Sequence, residues 1–196
     1  AKTRTNLVQM AQLAILIAIM FLLAFTPIGY LKAGVIEITF MVLPVAVGAT
    51  LLGPLGGAVL GGVFGLTSFL QCFGMSPFGT FLFGLNPFLT FLTCVVPRIL
   101  CGLLSGLFFR LLQKWDRTHV ASYFLASLST ALLNTLFFMG ALILFFWHNP
   151  LFLSQMTEWG MPLDTLWVFL VAFVGLNGLV EAIANAVLGG AIGKAL

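Results

Sequence analysis

Residues 7–25 read LVQMAQLAILIAIMFLLAF and are the first strong indication of the class of fold. This segment carries no charge, and its 19 residues are close to the ~20 that a helix needs to cross the hydrocarbon of a bilayer. The rest of the chain has the same character, with eight basic and five acidic residues among 196, 61% hydrophobic residues and a mean hydropathy of +1.18. An average soluble domain has about 25% charged residues. The composition therefore excludes a soluble fold.

Further long apolar segments follow the first one. Backbone polar groups in lipid must be satisfied within the protein, so long apolar runs predict helices rather than a barrel of short alternating strands. Glycine and proline interrupt the runs, as at Gly53-Pro54. We therefore predict an all-α membrane protein in which residues 1–196 form one domain of six transmembrane helices, at about 7–25, 38–52, 55–72, 88–112, 120–147 and 162–193.

The distribution of basic residues predicts how this domain is oriented. Six spans place both termini on one side of the membrane. Lys32 is the only basic residue predicted on the opposite side, whereas six lie at span ends or in connections on the side of the termini: Lys2, Arg4, Arg110, Lys114, Arg117 and Lys194. The positive-inside rule then predicts that both termini are cytoplasmic.

Three connections on the outer side are long, whereas the inner connections are short. The outer ones cover residues 30–37, 73–87 and 148–161; we predict a loop or short interfacial element for the first and loops for the other two. Loops on a rigid scaffold often carry binding residues, and long, semi-apolar loops suit a cover over a captured molecule. The pattern predicts a binding site that faces outward.

A polar layer crosses the predicted bundle. Arg98 in the fourth helix and Glu181 in the sixth lie about 21 and 18 Å from the inner helix ends, Asn134 reaches the same depth, and Asn177 lies within about two turns. Charges inside a membrane are costly and usually face a partner or a cavity. Arg98 and Glu181 could form an ion pair between helices, or Arg98 could bind a polar ligand. The asparagines could form interhelical hydrogen bonds or bind the same ligand.

The sequence has no catalytic or metal-binding signature. The motifs of zinc proteases, of serine esterases and of phosphate-binding loops are all absent. The two histidines are predicted at opposite membrane boundaries, and the three cysteines lie in apolar stretches. Basic residues form no cluster of the kind that binds nucleic acid. We predict that the chain is not an enzyme, holds no metal or cofactor, and binds no nucleic acid.

Small residues form candidate packing surfaces on the helices. In the first helix, Ala14 and Ala18 are four residues apart, and Ala11 lies one turn earlier on nearly the same stripe. This stripe could pack inside the protein or dock the helices of a partner. Glycines within the third and fourth helices predict that helices approach each other closely: Gly61, Gly62, Gly65, Gly102 and Gly106.

Four short segments carry a family resemblance: Thr26-Pro-Ile-Gly-Tyr30, Leu43-Pro44, Leu52-Gly-Pro-Leu-Gly56 and Pro97-Arg-Ile-Leu-Cys-Gly102. Over almost the whole chain, their order and spacing resemble the substrate-binding S components of energy-coupling factor (ECF) vitamin transporters. The resemblance implies a multi-pass protein of the bacterial plasma membrane that binds a vitamin on its outer side. It also implies docking on a transmembrane coupling subunit with two ATPase subunits, which hydrolyse the ATP.

The resemblance further implies where the vitamin and the partner bind. In such proteins the outer halves of helices four to six form the pocket, and the outer connections close it. We assign substrate binding to residues in these parts of the chain: Arg98, Asn134, Asn177, Glu181, Asn86, Tyr30 and Phe81. The stripe of Ala11, Ala14 and Ala18 resembles the alanine surface that such proteins present to the coupling subunit.

The identity of the vitamin depends on finer similarity. The segments at 26–30 and 97–100 are most similar to the pantothenate-specific members, and Arg98 could pair with a carboxylate. Riboflavin is the alternative, because Phe73, Phe78, Phe81 and Phe83 could stack on a flavin ring. Cobalamin and pyridoxine are further candidates. A stand-alone carrier or channel is a different class of function, against which the absence of an internal sequence repeat argues.

Overall fold

A computed structural model describes residues 2–26, 29–33, 36–115, 121–160, 181–183 and 185–189. Residues 181–183 are helical, and apart from one two-stranded hairpin the described part of the chain consists of helices and short connections, which confirms the all-α class. The elements are α1 (Lys2–Ala24), β1 (Tyr30–Ala33), β2 (Ile36–Thr39), α2 (Val42–Leu51), α3 (Gly53–Gln71), α4 (Pro77–Leu85), α5 (Pro87–Trp115), α6 (Ala121–Phe146), α7 (Pro150–Glu158) and a π-helix (Asn185–Gly189).

Four of the described helices can cross a membrane by their length and composition. They are α1 over Leu7–Ala24, α3, α5 and α6. The second predicted span, residues 38–52, is shorter than expected: α2 has 10 residues, because the preceding residues pair as strand β2 instead of starting the helix. The predicted sixth span, residues 162–193, lies mostly outside the described residues.

The first long connection forms an antiparallel β-hairpin. Tyr30 lies opposite Thr39, and Ala33 lies opposite Ile36. Beyond the strands, the Phe40 N–H donates to the Gly29 carbonyl at 3.0 Å. The hairpin therefore begins at the end of α1 and leads directly into α2.

The other two long connections each contain a helix, so the prediction of loops at 73–87 and 148–161 is wrong. The Ser76 hydroxyl accepts a hydrogen bond from the Gly79 N–H at 3.2 Å, and the Asn149 side-chain oxygen accepts one from the Leu151 N–H at 2.9 Å. A proline follows each of these N-caps. Proline starts a helix as readily as it breaks one, since the first helical N–H has no intrahelical partner in any case.

Helices α4 and α7 pack together over one end of the bundle, and we call this pair the cap. Trp159 contacts Phe78 and Phe81 at ring-centroid distances of 6.2 and 5.5 Å, and Phe81 stacks on Phe152 at 6.5 Å. The apolar cluster of the cap continues into the last turns of α6. These connections therefore cover the bundle end where α5 begins and α6 ends. The buried residues of the cluster are Phe78, Leu82, Met139, Leu142, Phe146, Phe152 and Met156.

Helices α3 and α5 approach each other through their glycines, as the sequence predicts. A Cβ atom on Gly61 would collide with the Arg98 carbonyl, and one on Gly102 would collide with the Gly57 carbonyl. A Cβ atom on Gly65 would lie 2.7 Å from the Val95 Cα atom. The two backbones therefore touch, which fixes the height of Arg98 relative to α3.

We expect Gly61→Ala to destabilise the protein, because the added methyl group would force the α3 and α5 backbones apart. Overpacking of this kind costs about 1–3 kcal/mol. Gly62→Ala is the matched control, since the gain in helix propensity is the same but the methyl group meets only the Ile99 side chain at 3.7 Å. Thermal unfolding of both variants in one detergent measures the difference. Equal melting temperatures would contradict the close approach.

Candidate functional site

The site begins with the buried Arg98, which is 7% exposed, on α5. The preceding residue, Pro97, has no backbone N–H, so the carbonyl of Thr93, four residues earlier, has no helical donor. Arg98 supplies this donor, because its Nη1 atom donates to the Thr93 carbonyl at 2.9 Å. The Pro-Arg sequence therefore folds the guanidinium back along α5 towards the cap.

Two phenylalanine rings hold the guanidinium in place. The Arg98 Cζ atom lies 4.3 Å from the centroid of Phe138 on α6 and 5.3 Å from that of Phe64 on α3, within the range of cation–π attraction. Phe138 also packs against the apolar cluster of the cap. Phe64 belongs to a second core cluster that joins α1, α2, α3 and α6. The cation therefore lies at the junction between the cap and the bundle core.

Four buried polar atoms have no hydrogen-bond partner within the described ranges. They are Arg98 Nε, Asn134 Oδ1, Ser127 Oγ and Asn185 Oδ1. Arg98 lies 11 residues after Pro87 and Asn134 lies 12 residues before Phe146, so both are about 17–18 Å below the capped end. Buried polar atoms rarely stay unpaired in proteins. At this depth and within the described ranges, Arg98 Nε is an unpartnered cationic donor and Asn134 Oδ1 is an unpartnered acceptor, whereas Ser127 lies seven residues, about 10 Å, further from the cap on α6.

Glu181 is buried near this layer, but in the described part of the chain it forms no ion pair with Arg98. Its Oε1 atom instead accepts the backbone N–H of Thr39 at 2.7 Å. The next residue, Ala182, packs in the core cluster that contains Phe64, and the Arg98 charge acts on the Glu181 carboxylate at longer range. Glu181 therefore joins the helical residues 181–183 to the hairpin rather than to α5.

The remaining predicted binding residues lie apart from Arg98 or fall outside the residues that the structure describes. Asn86 is exposed and caps α5, since its Oδ1 atom accepts the N–H groups of Phe88 and Leu89 at 3.1 Å each. Phe81 belongs to the cap. Of Tyr30 the structure describes the backbone alone, as the first residue of β1, and Asn177 lies outside the described residues.

The four phenylalanines considered for flavin stacking do not form one surface. Phe73 and Phe83 pack on each other at 4.7 Å in a cluster with two further rings. Phe78 and Phe81 pack on Trp159 in the cap. The four rings therefore belong to two separate clusters.

The alanine stripe on α1 is exposed at all three positions, Ala11, Ala14 and Ala18. The opposite side of α1 packs on the bundle, where Met20 and Ala24 are buried. Only 11% of the span Leu7–Ala24 is buried, far less than in α5. The described structure therefore does not use the stripe for internal packing.

These features define a multi-span helical membrane protein with a polar site buried beneath a cap. The chain matches the family described as ECF transporter, substrate-specific component, over residues 8–191. It is also 32% identical over 180 residues to the pantothenate transporter PanT of Leuconostoc mesenteroides subsp. mesenteroides, in a match that covers 86% of this chain and 81% of the relative. The chain belongs to the ECF substrate-specific components, which confirms the predicted family, and is a multi-pass protein of the cell membrane.

Proposed function

We propose that this protein is the pantothenate-binding S component of an ECF transporter. The observation that carries the proposal is the buried Arg98, whose Nε donor has no partner within the described residues. Pantothenate carries one carboxylate, and a hydrogen bond between ionised groups is roughly twice as strong as a neutral one. The name of the PanT relative supports the same vitamin.

The proposed contacts follow from the polar layer. Arg98 pairs with the carboxylate of the vitamin, and Asn134 Oδ1 accepts a hydrogen bond from a hydroxyl or amide group. Asn177 joins them because the sequence places it one turn before Glu181 on the same predicted helix. Asn86, Tyr30 and Phe81 are proposed to close the site from the elements at the capped end.

The transport role needs partner subunits. We propose six spans with cytoplasmic termini and the cap on the outer side, in which residues 162–193 provide the last span. The chain captures the vitamin and hydrolyses nothing, and ATP is consumed by two ATPase subunits on a transmembrane coupling subunit. The exposed alanine stripe of α1 is the proposed contact with that coupling subunit.

Titration calorimetry of the purified chain in lipid nanodiscs tests the vitamin. We expect one pantothenate to bind per chain, and no binding of riboflavin, pyridoxine or cobalamin at the same concentration. Native mass spectrometry of the same sample shows which vitamin co-purifies. Riboflavin binding in the absence of pantothenate binding would overturn the proposed vitamin and leave the family assignment intact.

A further inference from the structure

The β1–β2 hairpin is a small element that needs an anchor. Each strand has four residues, and an isolated two-stranded hairpin is at best marginally stable in water. It lies at the capped end of the bundle, because the Gln71 side chain at the end of α3 donates to the Ala24 carbonyl at the end of α1, at 2.9 Å. A location at this end of the bundle does not by itself stabilise so short a hairpin, which therefore needs a further contact.

One hydrogen bond ties this hairpin to a distant part of the described chain. The N–H of Thr39, the last residue of β2, donates to Glu181 Oε1 at 2.7 Å across 142 residues of sequence. Both residues are buried, and the Thr39 hydroxyl also accepts the Met41 N–H at 3.2 Å. The other described hydrogen bonds of Gly29, Thr39 and Phe40 stay within the hairpin and its flanks.

The Glu181 carboxylate has no other described role that accounts for its burial. It forms no ion pair with Arg98 in the described ranges, and a buried carboxylate is costly unless its acceptors are used. The hydrogen bond satisfies both the Glu181 acceptor and the Thr39 donor, and leaving either one buried without a partner would be costly, so this contact is well suited to fasten a marginal element. The Glu181 carboxyl group therefore supplies the acceptor that the hairpin backbone needs at Thr39.

We infer that Glu181 is a positioning residue that fastens the β1–β2 hairpin to the helical residues 181–183 and so holds a bound vitamin in the site. The inference rests on the proposed function for the vitamin. It assigns Glu181 to closure of the site rather than to contact with the ligand. Residues that hold a closing element act mainly on the dissociation rate, because the element must open before the ligand leaves.

Two substitutions at Glu181 separate the acceptor from the charge. Glu181→Ala removes the acceptor, and we expect pantothenate to dissociate at least about tenfold faster, the change that loss of ~1.4 kcal/mol produces. Glu181→Gln keeps a side-chain oxygen for the Thr39 N–H, and we expect its dissociation rate to stay within about threefold of the wild type. Ile183→Ala is the matched control on the same helix, since Ile183 is 64% exposed.

Hydrogen exchange of the ligand-free protein measures the hairpin directly. We expect the amides of residues 36–40 to lose protection in Glu181→Ala and to keep it in Glu181→Gln and Ile183→Ala. If Glu181→Ala does not fold, Thr39→Pro removes the donor instead, since proline is tolerated in an edge strand where the N–H points away from the partner strand. Thr39→Val is its control, because it keeps the N–H and loses only the hydroxyl that accepts the Met41 N–H. Unchanged hairpin exchange and unchanged dissociation in these variants would overturn the inference.

The dissociation and hydrogen-exchange measurements also distinguish a failure of this inference from a failure of the proposed function. The exchange measurement uses no vitamin, so a wild-type protein that fails to bind pantothenate overturns the vitamin and leaves the Glu181 contact testable. Faster dissociation in Glu181→Ala with normal hairpin protection would show instead that Glu181 contacts the ligand, which overturns its role as a fastener.

Discussion

Replacing Arg98 with glutamine is expected to weaken pantothenate binding by roughly 30-fold to several-thousand-fold. Truncation of one partner of a buried, hydrogen-bonded charge pair costs about 2–5 kcal/mol, and each 1.4 kcal/mol is a factor of ten. Arg98→Lys is also expected to bind weakly, because a lysine keeps the charge but lacks the planar fork of donors that matches a carboxylate. Titration calorimetry of each purified variant provides the dissociation constant.

Arg110→Gln is the control for this prediction. Arg110 lies on the same helix, 12 residues and about 18 Å from Arg98, and is exposed, so the same loss of charge leaves the site untouched. All variants should elute as single species in size-exclusion chromatography, which separates lost binding from lost folding. If Arg98→Gln binds pantothenate as tightly as Arg110→Gln, the buried cation does not contact the vitamin.

The double substitution Ala14→Leu and Ala18→Leu is expected to abolish ATP-driven uptake while leaving pantothenate binding unchanged. Both alanines are exposed on α1, and close approach between membrane helices depends on small side chains at the contact. Two leucines would hold the coupling subunit away from α1. The site at Arg98 involves α3, α5 and α6, so the added volume on α1 does not reach it.

Uptake by the reconstituted complex and binding by the isolated chain measure the two effects separately. Gly140→Leu is the matched control, since Gly140 is exposed on α6 with open space around it, and a larger side chain there faces lipid. Vesicles that contain the chain alone should show no ATP-dependent accumulation. Normal uptake by the α1 double variant would remove the stripe as the docking surface, and strong accumulation by the chain alone would support a stand-alone carrier.

Local sequence explains the parts of the fold that a single helix or turn decides. Long uncharged runs require lipid as solvent, and they predict the spans α1, α3, α5 and α6 within a few residues. Glycine spacing also predicts the close approach of α3 and α5, since only a missing side chain lets two backbones touch. The two cap helices are also predictable from local sequence, because Ser76-Pro77 and Asn149-Pro150 each combine an N-cap residue with a proline at the first helical position. They are missed when proline is treated only as a helix breaker.

The short strands were harder to recognise for a physical reason. A four-residue strand offers too few positions for an alternating pattern to stand out, and pairing between β1 and β2 is what removes the first turn of the predicted second span. The choice between strand and helix at residues 36–39 was therefore made by a partner strand and not by local propensity.

Composition and residue spacing are sufficient to predict that the chain spans a lipid bilayer, that the charge of Arg98 is buried among helices, and that glycines set the distance between helices. The partner of each buried polar group, in contrast, depends on how the helices pack in three dimensions. The Arg98 guanidinium lies between rings of Phe64 and Phe138, and Glu181 bonds to Thr39 rather than to Arg98. These partners are separated by up to 142 residues. Hydrogen bonds require specific distances and directions, so a shared depth in the membrane cannot select among several possible partners.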